Sequence, residues 1–343
     1  MFKYTIQNHC DCEGQLQNMK DKYFDNTRIS EFRSCPRKFF FRHVKDWTGS
    51  GFSPPLAFGS AWHDAMDSVW TDLGGGSSQS DEDVVQNGYA AFVGGWVNNN
   101  GTHPDEMGQE EIRRLGARTP FVGMEMLYEY VLKRRKFLSE IELLSVEQSF
   151  AVPLDPNDPD LFYVGRFDKV FLYQGSIIIG EHKTTSLYKA NGGFRATFLD
   201  QWSPNSQVDG YLHALHILYG EEAKQLWIDG ALVHRKHHDE FIFIPVERQF
   251  AQLDAWLWET RNWISQIDGH WDASRDAGAK ENLYMAAFPK NTSACQDFAR
   301  NCSYIDLCKA WSNPLQRPTP QGFIEEAWSP FERLELDTIG LKK

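Results

Sequence analysis

Two carboxylates and an amine in one short stretch, VGRFDKVFLYQGSIIIGEHKTTS over residues 164 to 186, set the chemistry open to this chain. Two runs rich in β-branched and aromatic residues, 164 to 173 and 176 to 183, meet at Gln174-Gly175, a pattern that predicts a β-hairpin. With Gln174 and Gly175 in the turn, Tyr173 faces Ser176, and counting back sets Asp168 opposite Glu181. Glu181 and Lys183 are two apart and project from one face of their strand, which Ile177 and Ile179 continue into a core. Like charges facing each other across a sheet repel. A divalent cation between them removes the conflict: Mg²⁺ or Mn²⁺ is held by one or two carboxylates while keeping waters and binding a substrate phosphate. Lys183 would then hold the attacking water or neutralise charge growing on a phosphoryl oxygen, which is hydrolytic phosphodiester chemistry. On spacing alone the alternative is an exposed hairpin tip carrying a surface Glu-Lys pair.

Gly165-Arg166-Phe167-Asp168, the run 177 to 179, and Glu181-His182-Lys183-Thr184 resemble the bipartite core of the PD-(D/E)xK nuclease superfamily. More narrowly they resemble its RecB/AddB-type branch, which includes the iron-sulfur exonucleases of CRISPR adaptation. Further elements follow in the expected order across residues 28 to 310. Cys35-Pro36-Arg37-Lys38-Phe39 is similar to the branch's "CPRK-aromatic" signature, Gly59 to His63 to its G-x-x-x-H element, and Gln207-x3-Tyr211 to its Q-x3-Y motif. The resemblance implies an α/β, restriction-endonuclease-like core with a central mixed sheet flanked by helices, an N-terminal helical region and a C-terminal cysteine segment. It implies a Mg²⁺ or Mn²⁺ site built from His63, Asp168, Glu181 and the His182 backbone carbonyl, with Lys183 assisting the water and Gln207 and Tyr211 positioning the strand. Read without the resemblance, His63 is a helix histidine bonded to Asp67 one turn on.

Cys295, Cys302 and Cys308 lie in a C-x6-C-x5-C spacing, and three clustered thiols need a fourth ligand, for which Cys35 is the distant partner. The resemblance implies a 4Fe-4S cluster tying the chain ends together, although the branch's usual C-x2-C-x5-C is tighter and leaves Cys295 the least typical ligand. A structural zinc site suits the same four thiolates.

With 343 residues, 41% apolar and 14% aromatic, the composition is that of a soluble globular protein. No apolar run reaches the roughly 18 residues of a membrane span and the N-terminus has no secretory pattern, so an intracellular setting is expected, where six cysteines point to metal ligands before disulfides. A net charge of −12 excludes a surface coated in basic groups for nucleic acid. It leaves room for local patches: Arg33, Arg37, Lys38, Arg42 and Lys45, or Lys133 to Lys136, the latter equally readable as a solvated helix face.

The elements that must position these groups are read as follows. Residues 1 to 27, with His9, Cys10 and Cys12, form an irregular arm; a helix begins at Arg28 with Ser30 near its start and Pro36 interrupting it; a second begins at Ala57. Residues 74 to 110 are polar and loop-like around a short apolar run, 89 to 97, and are expected to form a helical cap or mobile lid. Helical patterning over 111 to 139 leads into a strand, 144 to 152, in which Glu147 is either an auxiliary acid near the metal or, the preferred reading, a solvent-facing strand residue. Ser203-Pro204 would cap and open the helix bearing Gln207 and Tyr211; strands at 225 to 234 and 240 to 246 and a long helix over 250 to 267 follow. The domain reading is a helical region at 28–143, the nuclease core at 144–275, the cysteine segment at 276–315 and a tail at 316–343. The functional expectation is a metal-dependent DNA nuclease, an exonuclease acting on ends or single strands in recombination, repair or DNA processing. The rival is a catalytically silent nucleic-acid-binding or assembly subunit. No G-x-x-x-x-G-K-[ST] sequence occurs, so unwinding would fall to a helicase or recombination partner.

Overall fold

The structure, a computed structural model, describes residues 22–155, 157–189, 192–220, 223, 225–277, 283–297 and 300–329. Residues 1–21 of the expected arm, with His9, Cys10 and Cys12, and the tail from 330 onward lie outside them. In chain order the helices are α1 (Asn26–Ser34), α2 (Pro36–Phe39, running into a π-helical turn, Phe40–Val44), α3 (Pro54–Leu73), α4 (Asp81–Asn98), α5 (Gln109–Leu115), α6 (Pro120–Ser139), α7 (Ala196–Asp200), α8 (Ser206–Tyr219), α9 (Phe250–Ala277) and α10 (Ile305–Ala310). The strands are β1 (Tyr23–Phe24), β2 (Trp47–Gly49), β3 (Glu142–Asp155), β4 (Asp158–Tyr173), β5 (Ser176–Thr185), β6 (Gln225–Leu232), β7 (Phe241–Glu247), β8 (Gln296–Asp297), β9 (Arg300–Asn301) and β10 (Phe323–Glu325). No helix among the described residues is long and apolar enough to cross a membrane. The chain divides into two compact units that interleave in sequence: Phe52–Ser149 with Arg166–Phe250, and Met1–Gly51 with Phe150–Gly165 and Ala251–Lys343.

The first of these units carries the hairpin. β4 and β5 pair antiparallel with Tyr173 facing Ser176 and Lys169 facing Gly180, the expected register, and Gln174 and Gly175 both take positive φ (50° and 83°), as a type I′ turn requires. β5 then pairs parallel with β6, and β6 antiparallel with β7, which makes the sheet mixed. β5 is buried on both faces, since Ile178 and His182 are enclosed as fully as Ile179 and Glu181. Helices α3, α4 and α6 build a core with one face of the sheet through Trp62, Trp70, Phe92, Trp96 and Tyr130, together with Phe171 and Ile178, while α8 packs on β6. Central strands of α/β sheets are covered in this way.

Of the two forms expected for residues 74 to 110, a helical cap or a mobile lid, the structure has a helix, α4. Ser80 caps it, accepting from the Asp83 backbone N–H, three acids fill its first turn, and Val84, Val85, Phe92 and Trp96 are buried. Two of its glycines, Gly88 and Gly95, serve packing. A Cβ on Gly95 would stand 3.0 Å from the Ala61 Cα of α3, so only glycine lets the two helices approach this closely. The helical stretch expected over 111 to 139 is broken at Gly116 (φ 72°) and restarts at Pro120 under a Thr119 cap. Asn205, not Ser203, caps α8, its side chain accepting from the Gln207 and Val208 N–H groups.

In the other unit Asp25, not Ser30, caps α1 by accepting from the Arg28 N–H, and Cys35 sits in extended backbone where Pro36 ends the helix. α9 runs ten residues beyond its expected end, to Ala277. A cluster of Phe39, Phe40, Phe41, Trp47, Phe288 and Tyr304 is buried, and β2 pairs with β10 of the C-terminal segment. The basic patch expected on the first helix is spent inside this unit. Arg37 is buried and donates to the Phe288 carbonyl, Lys38 pairs with Glu31, Arg42 with Glu326, and Lys45 donates to the Leu315 carbonyl.

Candidate metal centre

α3 and the β4-β5 hairpin bring the leading site residues together within one unit. His63 Nδ1 stands 3.2 Å from Asp168 Oδ2, and the same oxygen accepts from the His182 backbone N–H at 2.8 Å. Lys183 Nζ lies 2.6 Å from Glu181 Oε1, and Gln207 Nε2, from the first turn of α8, donates to that oxygen at 3.2 Å. Asp67, the alternative partner for His63, is taken by the buried Lys169. Tyr211, one turn after Gln207, sets its ring edge-on against Phe167 at 5.5 Å, so Gln207 reaches the carboxylates while Tyr211 braces the strand that carries Asp168.

The sequence reading preferred a solvent-facing Glu147 over an auxiliary acid near the metal; the structure puts it beside His63 and Asp168. His63, Glu147 and Asp168 offer ligand atoms that all lie within 4.8 Å of one another. Glu147 takes φ 53° and pairs through Oε2 with Arg166 at 2.5 Å. A positive φ in a strand breaks the two-residue alternation on which a facing assignment rests, and that is why pattern reading sent the side chain outward.

The charges are unequal. Burial pushes the Asp168 carboxyl up, but the charge and hydrogen bond of His63, with Lys183 and His182, outweigh it and hold Asp168 well below the usual carboxylate range. Glu181 moves the other way, raised by burial and by the charge of Asp168 against the pull of Lys183. Glu147 is pushed up to about 7 by burial and by the charge of Asp67, with Arg166 opposing. Burial lowers His63 and Lys183, yet their carboxylate neighbours leave both raised. Glu181 Oε2 and Glu147 Oε1 are buried without a hydrogen-bond partner. Buried acceptors of this kind are costly, and two of them beside Asp168 and His63 fit a hard divalent cation, whose preferred donors are carboxylate oxygens with an imidazole tolerated.

A second group missed in the sequence lies behind β5. Asp229, facing His182 across the β5-β6 ladder, accepts from the Tyr130 hydroxyl at 2.5 Å and pairs with Arg134 at 3.0 Å; the Trp70 indole N–H donates to the Tyr130 oxygen at 2.8 Å. Burial raises Asp229, but Arg134 and His182 outweigh it and hold it low. Arg134 is thus a structural cation. Arg135 pairs with Asp81 and Lys133 with Asp239, so most of the second expected basic patch is neutralised as well.

Cys35, Cys295, Cys302 and Cys308 line one cavity with Lys38, Lys290 and Asn291, all within a single unit. The thiols are free and half-buried. The Asn291 backbone N–H donates to Cys35 Sγ at 3.3 Å, its side chain donates to the Ser34 carbonyl, and the Tyr304 hydroxyl donates to the Trp47 carbonyl, so residues 34 to 47 are stitched to 288 to 304. Among the described residues the cysteines do not approach one another as closely as the ligand atoms of His63, Glu147 and Asp168 do.

The chain is similar to a crystal structure of a "Putative exonuclease" from Eubacterium rectale at 13% identity, covering 87% of this chain and 98% of that one, with a TM-score of 0.45. No curated protein matches it. The family model described as the PD-(D/E)XK nuclease superfamily matches residues 26–309, a span that holds every residue of the metal centre, and the chain belongs to that superfamily.

Proposed function

We propose that this protein is a metal-dependent DNA nuclease, an exonuclease working on DNA ends or single strands in recombination, repair or DNA processing. The observation that carries the reading is the pair of unpartnered, buried carboxylate oxygens on Glu181 and Glu147 beside Asp168 and His63. His63, Asp168, Glu181 and the His182 carbonyl, joined by Glu147, would hold Mg²⁺ or Mn²⁺. The ion when bound supplies Lewis-acid polarisation of a phosphoryl oxygen and a more acidic water. Lys183 stays cationic, since its neighbours raise it, and so orients the attacking water and offsets negative charge on the phosphoryl group instead of accepting a proton. Gln207 fixes the Glu181 rotamer and Tyr211 the strand behind Asp168.

The cysteines fit a structural cluster. Four thiols line a cavity together with Lys38 and Lys290 and no carboxylate, which suits the net negative charge of a cysteine-ligated 4Fe-4S group. It would clamp the two ends of its own unit. Zinc is the competing ion, and a reducing intracellular setting keeps the thiols available to either.

The deciding experiment adds Mn²⁺ or Mg²⁺ to anaerobically purified protein with labelled single- and double-stranded DNA. Cleavage is expected in wild type and lost in both Asp168→Ala and Lys183→Ala; cleavage unchanged in the two variants overturns the site, and none in any condition favours a silent binding subunit. A brown protein whose visible band fades on reduction identifies iron-sulfur, and a colourless zinc-bearing one excludes it.

A further inference from the structure

Two loops leave the same end of the sheet in the unit that holds the metal centre. β5 and β6 run parallel to their last pair, Thr185 and Leu232, and the Val233 N–H donates to the Thr185 carbonyl at 2.7 Å. Beyond β5 the chain turns tightly. Tyr188 bridges to Phe194, the Lys189 N–H donates to the Gly193 carbonyl, and Gly192 and Gly193 take φ of 90° and 77°, leaving Tyr188 and Lys189 exposed. Beyond β6 the chain reads His234-Arg235-Lys236-His237-His238, with Arg235, Lys236 and His237 exposed.

These loops touch. The Tyr188 ring meets His234 edge-on at 4.5 Å, and His237 stacks on His234 at 4.8 Å. Arg118 donates to the Ser186 hydroxyl and Arg195 to the Tyr188 carbonyl, which fixes the first loop from both ends. Among the described residues neither Lys189 nor Lys236 pairs with a carboxylate, while Asp239 in the second loop is engaged by Lys133. Burial, and then the charges of His237, His238 and Lys236, hold His234 below its ordinary value, while the Glu240 carboxylate stands near Gly192 of the first loop. So a protein of net charge −12, whose longest basic runs are largely neutralised internally, keeps unpaired cations among exposed aromatic rings here.

Exposed rings beside unpaired cations are what a single strand needs. Its unpaired bases stack on ring faces and its phosphates follow the cations, whereas paired bases offer no free face. Thr185 lies two residues past Lys183, about 7 Å along an extended strand, so these loops are within reach of a strand whose phosphate sits at Lys183. We propose that the loops following β5 and β6 form a platform for single-stranded DNA, with Tyr188 stacking a base and Lys189 and Lys236 holding phosphates on the way to the metal centre. The platform rests on the nuclease reading of that centre.

The test is fluorescence anisotropy of full-length protein with labelled oligothymidylate and with a duplex, in EDTA so that nothing is cut, over a salt series. Wild type is expected to prefer the single strand. Lys189→Ala with Lys236→Ala should weaken binding at least tenfold at low salt and reduce the slope of log K against log salt by about 1.4, two phosphates at about 0.7 each. Tyr188→Ala should weaken binding roughly tenfold with the slope unchanged, and Tyr188→Phe should restore it, a pattern that mere loop damage would not give. Duplex bound as tightly as single strand, no binding by wild type, or variants with wild-type affinity and slope would each overturn the platform. Asp168→Ala separates the two readings: it should bind oligothymidylate normally and, with Mn²⁺, fail to cut it. Cleavage by that variant would fell the nuclease reading while the anisotropy still judges the platform.

Discussion

Glu147→Gln sets the stability of the metal-free protein against its affinity for metal, and the structure gives both signs. In the folded chain the Glu147 carboxyl is raised from its ordinary 4.5 to about 7. That displacement makes the ionised form about 3.4 kcal/mol less favourable than it is in the unfolded chain. Because the side chain is not fully enclosed, 22% of it remaining in contact with solvent, about 2 kcal/mol is the working expectation. A carboxyl whose folded pKa is raised imposes no penalty below about pH 4.5 and its full penalty above about pH 7. In EDTA, therefore, Glu147→Gln should match wild type at pH 4.5 and become the more stable by about 2 kcal/mol at pH 8, a rise of a few degrees in melting temperature for a chain of this size. With Mn²⁺ the order should reverse. Wild type gains about 2.7 kcal/mol at a metal concentration one hundred times its Kd, and the variant, short of one oxygen ligand, gains much less. Thermal denaturation in EDTA and across a Mn²⁺ series reads both. A variant no more stable than wild type at pH 8 in EDTA would refute the argument that this carboxylate is held against its preference. An unchanged Mn²⁺ shift would refute its role as a ligand.

Asp229→Asn removes the buried charge that balances Arg134 and orients His182 behind the strand bearing Glu181 and Lys183; urea unfolding should show a loss of about 3–5 kcal/mol, and a loss below 1 kcal/mol would mean the network does not hold the strand. The Glu31–His43 pair gives the protein an acid-sensitive side. Burial pushes Glu31 up, but His43 and Lys38 outweigh it and hold it low, while burial holds His43 low. A depressed folded pKa in either group stabilises at higher pH and loses that contribution as the pH falls, so unfolding free energy should drop from pH 7 toward 4. The His43 part is lost first, below its unfolded value near 6.5, and the Glu31 part later, below about 4.5. Glu31→Gln should flatten the lower part of that curve, and an unaltered profile would show that the pair does not govern it.

What could be read from the sequence was local. The hairpin register follows from two adjacent residues able to take positive φ, and it carries Asp168, Glu181 and Lys183 with it. Gln207 was legible from the resemblance of Gln207-x3-Tyr211 to the Q-x3-Y motif just after the strand bearing Glu181 and Lys183, although the cap of its helix is Asn205 and not Ser203. Non-local features were not. Glu147 escaped because its own backbone breaks the alternation used to assign its face. The helix α4 was legible only as one of two options, a helical cap or a lid, because what settles it is its packing on α3, as at Gly95 against Ala61, and not its own sequence. The basic runs misled for a related reason. Whether a cation is free depends on acids far along the chain, as with Arg134 and Asp229, 95 residues apart, or Arg42 and Glu326. A run of like charge on one helix face lowers its own repulsion by recruiting such partners, so in an acidic protein the longest basic runs are the ones most readily neutralised. Cations that stay available to a phosphate are then found on short loops, where nearby acids are already engaged, as Asp239 is by Lys133. Lys189 and Lys236 pair with no carboxylate among the described residues and lie where β5 and β6 end, and the sequence reading singled out neither, although Lys236 sits in the short basic stretch His234 to His238.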